Sequence, residues 1–139
     1  MNNNKKAFSL LELLVVILIL GLLAGVVAPQ VIARGEEAKR DLACVEMKSI
    51  GESLKMFKLD NGAYPDTEEG LNALITNPDS DKYPNYARKP YIESLPKDSW
   101  STHFIYIKND NKYELISFAS DRKEGGSDDN EDIFLSKCK

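Results

Sequence analysis

The hydrophobic pattern of the chain is dominated by residues 8–28, an apolar stretch with a single charged side chain, Glu12. At about 1.5 Å per helical residue, this stretch is long enough to cross the roughly 30 Å hydrocarbon core of a bilayer. A carboxylate inside such a span costs about 2.5 kcal/mol or more, which makes Glu12 a candidate functional residue. The alternative is a plain membrane anchor in which Glu12 lies near enough to one end to reach the lipid headgroups.

The flanking charges predict the orientation of the span. Lysines occupy residues 5–6, whereas residues 34–41 carry both signs of charge, so we expect a cytoplasmic N-terminus and an exported remainder. A secretory signal peptide is the rival interpretation. The apolar run exceeds the usual signal-peptide length, Glu12 interrupts its start, and Pro29 directly follows the small-residue site. We therefore expect processing before the apolar run, within residues 5–8.

A helical pattern continues beyond Pro29 to about residue 59. Apolar side chains recur there at spacings of three to five, with charged side chains mainly on the opposite side, which is typical of an amphipathic helix. We predict one long helix over about residues 8–59 with a kink at Pro29. The predicted buried stripe of its second half comprises Ala38, Leu42, Val45, Ile50, Leu54 and Phe57.

The rest of the chain predicts a small α+β head. Residues 67–75 read as a short helix, and residues 77–99 form a proline-rich loop whose tyrosines are expected to pack on the long helix. Aromatic and β-branched runs at residues 103–108 and 112–119 predict a hairpin, with residues 133–135 as a third short strand. An antiparallel sheet packed on the amphipathic helix completes this fold.

Composition narrows the possible functions. The net charge of −4 over 139 residues argues against a partner that is nucleic acid. With His103 as the single histidine and no Cys-x-x-Cys motif, the sequence excludes a zinc site of the Cys/His type and offers no Ser/His/Asp constellation. We expect a protein that is not an enzyme. Cys44 and Cys138 belong to the exported part, where disulfides form, and the sequence leaves open a Cys44–Cys138 bond or two free thiols.

Residues 121–132 are the densest polar segment, with six acidic side chains and two glycines among twelve residues. Calcium takes six to eight oxygen ligands, including carboxylates and backbone carbonyls, so the segment is a candidate Ca²⁺ loop. It does not match the EF-hand spacing, because Lys123 stands where the second ligand should be. Composition alone favours a solvated acidic loop and leaves the calcium site as the alternative.

The run Lys-Ala-Phe-Ser-Leu-Leu-Glu-Leu that begins at Lys6 resembles the processing signature of type IV prepilins. This resemblance implies a leader peptide over residues 1–7 that is removed by a dedicated prepilin peptidase. The chain departs from the signature at Ala7, where the family usually has glycine. The implied sites are cleavage between Ala7 and Phe8, N-methylation of Phe8, and assembly roles for Glu12 and Pro29.

Two runs in the head narrow the resemblance to the major pseudopilins of type II secretion. Residues 64–74 resemble their Tyr-Pro-Thr-Thr-Glu-x-Gly-Leu-x-Ala-Leu, and residues 91–100 resemble their Tyr-Leu-x-x-Leu-Pro-x-Asp-Pro-Trp. The implied fold is type IV pilin-like α+β, a long N-terminal hydrophobic helix packed on a small antiparallel β-sheet head. The implied organisation is a leader over 1–7, a transmembrane and fibre-core half over 8–28, and a periplasmic head over 29–139.

The resemblance implies a structural subunit that polymerises into a periplasmic pseudopilus, the fibre that drives type II protein secretion across the outer membrane. The implied location is the bacterial inner membrane, single-pass, with the head periplasmic, and then the periplasmic fibre. The expected partners are copies of itself, minor pseudopilins, the prepilin peptidase, the inner-membrane assembly platform and, before assembly, membrane lipid. The alternatives are a pilin of an extended type IV pilus for adhesion or DNA uptake and a membrane-tethered binding domain.

The resemblance also favours the calcium alternative for the acidic loop. Arg122 departs from the family, which usually has glycine at that position, and the two cysteines are not part of the family pattern. The implied ligands are the carboxylates of Asp121, Asp128 and Asp129 and, with less support, backbone carbonyls near Phe118 and Asp132.

Overall fold

The computed structural model describes residues 7–139, so the expectations for residues 1–6 lie outside the described part. The chain divides into two compact units, Met1–Glu36 and Glu37–Lys139. Within residues 7–139, the regular elements are one α-helix, α1 (Leu10–Asn61), three strands, β1 (Ile105–Asn109), β2 (Lys112–Ser117) and β3 (Ile133–Phe134), and short 3₁₀ helices at Gly70–Leu74, Asp128–Asn130 and Leu135–Lys137.

The long helix is confirmed, because α1 runs from Leu10 to Asn61 with Pro29 in its interior. In its first part, over residues 10–32, every large hydrophobic side chain is at least 43% exposed. By length and composition α1 is able to cross a membrane. A helix that is apolar on all sides needs lipid or other apolar helices around it, and the described residues provide neither.

The head half of α1 buries one row of side chains. Ala43, Met47, Ile50, Leu54 and Phe57 are at most 3% exposed and follow one another at alternating spacings of four and three. This row lies on one side of a helix of 3.6 residues per turn and forms the helical part of the core. The last three members of the row were predicted to be buried, and they are confirmed.

The other predicted members of the stripe are wrong. Ala38 is exposed, and Leu42 and Val45 are 50% and 60% exposed. Each residue along a helix is rotated by about 100°, so Leu42, one position before Ala43, points away from the buried row. Ala43 and Met47 continue the row instead, and the prediction missed them because it accepted spacings of three to five rather than alternating steps of four and three.

The three strands form one antiparallel sheet in the order β1-β2-β3. The predicted hairpin is confirmed with shorter strands, and it closes between Asn109 and Lys112 through a turn with Asp110 at φ 50°. The third strand is also confirmed, since Ile133 pairs with Ser117 of β2. The predicted helix over residues 67–75 is reduced to the 3₁₀ helix Gly70–Leu74.

The proline-rich loop packs on α1 through its tyrosines, as predicted. The ring of Phe57 lies 5.1 Å from that of Tyr83, 6.0 Å from Tyr86 and 5.4 Å from Tyr91, measured between centroids. Tilted and edge-to-face pairs at these distances are the favoured aromatic geometry. The Tyr86 hydroxyl also donates to the carbonyl of Ala73 at 2.8 Å. The loop is therefore part of the core and brings Trp100, which is 8% exposed, into it.

A cluster of ion pairs at the surface also holds the proline-rich loop in place. Lys82 Nζ lies 2.5 Å from Asp66 Oδ2 and 2.6 Å from Glu69 Oε1, and Lys108 Nζ lies 2.7 Å from Asp66 Oδ1. The ammonium groups of Lys108 and Lys82 lower the pKa of Asp66 to about 2. The hydroxyl of Tyr83 donates to Glu69 Oε2 at 2.6 Å. The cluster joins the loop, the first 3₁₀ helix and β1.

Asp98 organises the turn that precedes β1. Its side chain is buried, and Oδ1 accepts the backbone N–H groups of Trp100 at 3.0 Å and Thr102 at 2.9 Å. Oδ2 accepts the hydroxyl of Ser117, at the end of β2, at 2.6 Å. Burial, and then the charge of Asp98, raise the pKa of Glu46 on α1. These three hydrogen bonds to the buried carboxylate connect the turn before β1 to the end of β2, and the chain continues from there into the acidic segment.

Candidate functional site

The N-terminal candidate site begins with a capping box on α1. The backbone N–H of Ser9 donates to Glu12 Oε2 at 3.0 Å, and the backbone N–H of Glu12 donates to Ser9 Oγ at 3.1 Å. Because α1 starts at Leu10, Ser9 is the N-cap residue and Glu12 is its reciprocal partner three positions on. The sequence carries the Ser-x-x-Glu signal of such a box, although the prediction for Glu12 rested on its unusual charge in an apolar span and on the prepilin resemblance.

Glu12 can still interact with a further partner while it takes part in the capping box. Its carboxylate satisfies one otherwise unpaired N–H of the helix start, and the side chain remains exposed, so it is open to a partner of opposite charge. The predicted cleavage point, between Ala7 and Phe8, precedes the helix, and the Phe8 side chain is 88% exposed. The predicted cleavage point therefore lies in a non-helical segment that directly precedes the capping box of Ser9 and Glu12.

Pro29 lies inside α1 without ending it. A proline has no N–H, so the carbonyl of Gly25, four residues earlier, lacks its usual helical donor. The kink at Pro29 and its assembly role stay predictions.

The second candidate site is the acidic segment between β2 and β3. Of its predicted ligand residues, Phe118, Asp121 and Asp132 are half-buried, whereas Asp128 and Asp129 are exposed. Asp121 Oδ1 accepts the backbone N–H of Lys123 at 3.0 Å, and Asp132 Oδ2 accepts that of Gly125 at 2.9 Å. The first bond closes a small turn, and the second joins residues seven positions apart in the segment.

The predicted calcium ligands are not gathered around one point in this arrangement. Among residues 7–139, no three carboxylate, histidine or cysteine side chains are grouped as a metal site. Asp132 Oδ1 is buried without a hydrogen-bond partner, so this side chain keeps an oxygen that could bind a cation. Calcium binding by the acidic segment therefore stays a prediction.

The backbone of this segment explains two of its residues. Arg122 adopts φ 58°, the left-handed region that glycine enters at no cost, which agrees with the glycine expected at this position from the resemblance. Gly126 has φ 94°, and a Cβ atom there would lie 2.3 Å from the carbonyl oxygen of Asn130. The turn at Gly126 therefore requires glycine.

The C-terminal residues that follow β3 are attached to α1. Cys44 of α1 and Cys138 form a disulfide with a Cα–Cα distance of 5.7 Å. One turn further along α1, Lys48 Nζ donates to a terminal oxygen of Lys139. The last residues of the chain are thus bound to the helix by a covalent bond and a polar contact.

Comparison with known proteins bears on both sites. Residues 30–136 match the family model of type II secretion system protein G, and residues 2–28 match the prokaryotic N-terminal methylation motif. The chain belongs to the type II secretion system protein G family. The first match covers the head with its acidic segment, and the second covers the cleavage point and Glu12.

Relatives and a solved structure agree with the family. The chain is 42% identical to the type II secretion system core protein G of Pseudomonas aeruginosa over 132 residues, 93% of each chain. It is 38% identical to that of Vibrio cholerae, over 91% of this chain and 88% of the relative. The crystal structure of the major pseudopilin from the type 2 secretion system of enterohaemorrhagic Escherichia coli matches with a TM-score of 0.64 and 27% identity, over 74% of this chain and 90% of that chain. The pilin-like fold expected from the sequence is confirmed.

Proposed function

We propose that this protein is a structural, non-enzymatic subunit that polymerises into the periplasmic pseudopilus of type II secretion. The observation that carries the proposal is the pairing of two features in one chain. The head matches the protein G family, and the first part of α1 exposes apolar side chains on every side. Such a helix is stable in lipid before assembly and among identical helices afterwards, which is what a fibre-forming membrane protein needs.

The N-terminal site supplies the proposed route from membrane to fibre. The subunit waits in the inner membrane with its N-terminus cytoplasmic and its head periplasmic. A prepilin peptidase cuts between Ala7 and Phe8, and the new amine of Phe8, which is positively charged near neutral pH, is methylated. Glu12 of a docking subunit then pairs with that amine, so two charges are neutralised in an apolar setting. Removal of one partner would leave an uncompensated buried charge, at a cost of about 3–5 kcal/mol.

The proposed partners follow from this route. They are other copies of the chain, minor pseudopilins that belong to the same fibre, and an inner-membrane platform that receives each subunit. The energy for extraction would come from a separate cytoplasmic ATPase. A pilin of an extended type IV pilus would share the N-terminal site, but the head matches protein G over residues 30–136, which favours the secretion role.

The negative charge of Glu12 and its role in the capping box can be tested separately. Glu12→Gln keeps an oxygen that accepts the Ser9 N–H but removes the charge, whereas Ser9→Ala removes one bond of the box and keeps the charge. We expect Glu12→Gln to be inserted and cleaved but to form no fibre. We expect Ser9→Ala to lose about 1 kcal/mol of helix-start stability and still assemble.

Fibre yield and secretion in a strain that lacks its own major pseudopilin are the readouts. Wild-type fibre yield from Glu12→Gln would overturn the charge-pairing role. Mass spectrometry of the membrane-extracted wild type tests processing independently, since methylated Phe8 at the N-terminus is expected and retention of residues 1–7 would contradict it. Secretion that is unaffected by loss of the chain would contradict the secretion role.

A further inference from the structure

The head half of α1 carries a second row of side chains, on the side of the helix away from the buried row. It includes Leu42 and Val45, which were predicted to be buried. The members of this outer row follow one another at alternating spacings of four and three, and all are exposed. At about 100° per residue, they lie about 150° around the helix from the buried row. The outer row consists of Ala38, Leu42, Val45, Ser49, Glu52, Met56 and Leu59.

The outer row is apolar over most of its length. Its four large apolar side chains are between 50% and 77% exposed. Its one charged member, Glu52, already has a counter-ion in the same chain, because Lys55 Nζ lies 2.7 Å from Glu52 Oε1. A contiguous apolar surface that remains open to water is typical of an interaction site.

The spacing of the outer row indicates the kind of partner that fits it. Alternating steps of four and three are the pattern by which one α-helix packs along another. Among residues 7–139, α1 is the one α-helix, so no second helix of the same copy covers the outer row. The fitting partner is therefore a helix that belongs to another molecule.

Residues 10–32 of α1 have the properties of such a partner. They carry Glu12 as their only charged side chain, and each of their large apolar side chains is at least 43% exposed. This stretch and the outer row each extend over about 33 Å of helix, at about 1.5 Å per residue. Because both belong to the same continuous helix, they can lie side by side only when they come from two copies. Two parallel copies bring them together when one is displaced by about 42 Å along the helix.

We propose that the outer row binds residues 10–32 of a second copy, so that the head half of α1 contributes to the contacts between subunits. This inference rests on the proposed function, because it requires a fibre in which copies lie parallel to one another. It explains why Leu42 and Val45 follow an apolar helical pattern and are nevertheless exposed in the single chain. Their partner is supplied by assembly.

Photo-crosslinking in assembled fibres tests which partner the outer row has. The photoreactive amino acid p-benzoylphenylalanine takes the place of Val45 in the full-length protein, produced in a strain that lacks its own major pseudopilin. We expect an adduct of twice the subunit mass, in which mass spectrometry finds the probe linked to residues 10–32. An adduct only with the head of a second copy, with another protein or with lipid would overturn the proposal, as would the absence of any adduct.

Val45→Asn tests whether the contact supports assembly. Because Val45 is 60% exposed in the single chain, we expect the melting temperature of the head to change by less than about 2 °C. Insertion and cleavage should be unchanged, whereas fibre yield should fall about tenfold, since the amide would be buried against an apolar helix without a hydrogen-bond partner. Wild-type fibre yield from this variant would contradict the proposal.

Ile107→Asn is the matched control. Ile107 is an exposed apolar residue of β1 and not of α1, so this variant should assemble as the wild type does. An equal loss of fibre from both variants would contradict a specific role of the outer row. If the wild type forms fibres but the probe at residue 45 links elsewhere, only the outer-row contact is refuted. If the wild type forms no fibre, the proposed function itself fails.

Discussion

Removal of the disulfide is a perturbation whose effect on the head can be calculated from the length of the loop that it closes. Cys44 and Cys138 are 94 residues apart, so their bond closes a loop that holds nearly the whole head. In the chain-entropy model, a cross-link over about 100 residues stabilises the folded state by about 4.7 kcal/mol, and measured losses are typically about 2–5 kcal/mol. Small proteins have about 5–15 kcal/mol of stability in all. Loss of this bond therefore removes a large part of the stability of the head.

The assay is guanidinium unfolding of the full-length protein in detergent, followed by the fluorescence of Trp100, the single tryptophan, which is buried. We expect the double variant Cys44→Ser/Cys138→Ser and the reduced wild type to unfold at the same, lower denaturant concentration. The single variant Cys44→Ser should match them if the bond, rather than the thiol, is what stabilises. The disulfide of the wild type is verified by mass spectrometry. If the double variant and this wild type unfold at the same guanidinium concentration, the reasoning is refuted.

Three further predictions concern carboxylates of the head, each measured by denaturant or thermal unfolding. Asp98→Ala should lose about 3–5 kcal/mol because three donors lose their acceptor, whereas Asp98→Asn should lose only about 1–2 kcal/mol; equal losses would contradict the donor geometry. Glu46→Gln should raise the melting temperature at pH 7, since burial and Asp98 raise the pKa of Glu46 and its ionised form opposes folding; a lower melting temperature would contradict this. Because the pKa of Asp66 is lowered to about 2, the stability that Asp66 contributes is present above its ordinary pKa near 4 and is lost as pH falls towards 2. Asp66→Asn should therefore be less stable at pH 7 and should lack that loss of stability in acid. An unchanged dependence of stability on pH in this variant would contradict the ion pairs.

Local periodicity predicted most of the regular structure. The helix through Pro29 and the hairpin were recoverable because each repeats a signal over many residues, with a period near 3.6 in one and near 2 in the other. The side of α1 that is buried was harder to predict. Leu42 and Val45 are apolar and exposed, while Ala43 and Met47 are buried, so apolar character alone did not locate the row. A stricter test of heptad spacing would have selected Ala43, Met47, Ile50, Leu54 and Phe57.

The candidate sites also differ in how much of them could be predicted from the sequence. The capping box lies within four residues, and its Ser-x-x-Glu pattern was readable from the sequence. The contact of Arg40 with the Glu131 carbonyl joins residues 91 positions apart, and no local pattern encodes it. For the cysteines, the sequence supplied two residues without showing whether the ends of the head meet. Such contacts depend on the topology that brings the third strand and the C-terminus back to α1.

The disulfide has a mechanical consequence for the proposed extraction of the subunit from the membrane. Tension that enters along α1 and is resisted at the last residue passes from Cys44 through the sulfur–sulfur bond to Cys138. The sheet, the tyrosine-rich loop and the acidic segment lie inside the covalent loop, so this tension bypasses them. A load between the two ends of the chain therefore extends only the residues outside positions 44–138, and the head is carried as an unstretched block.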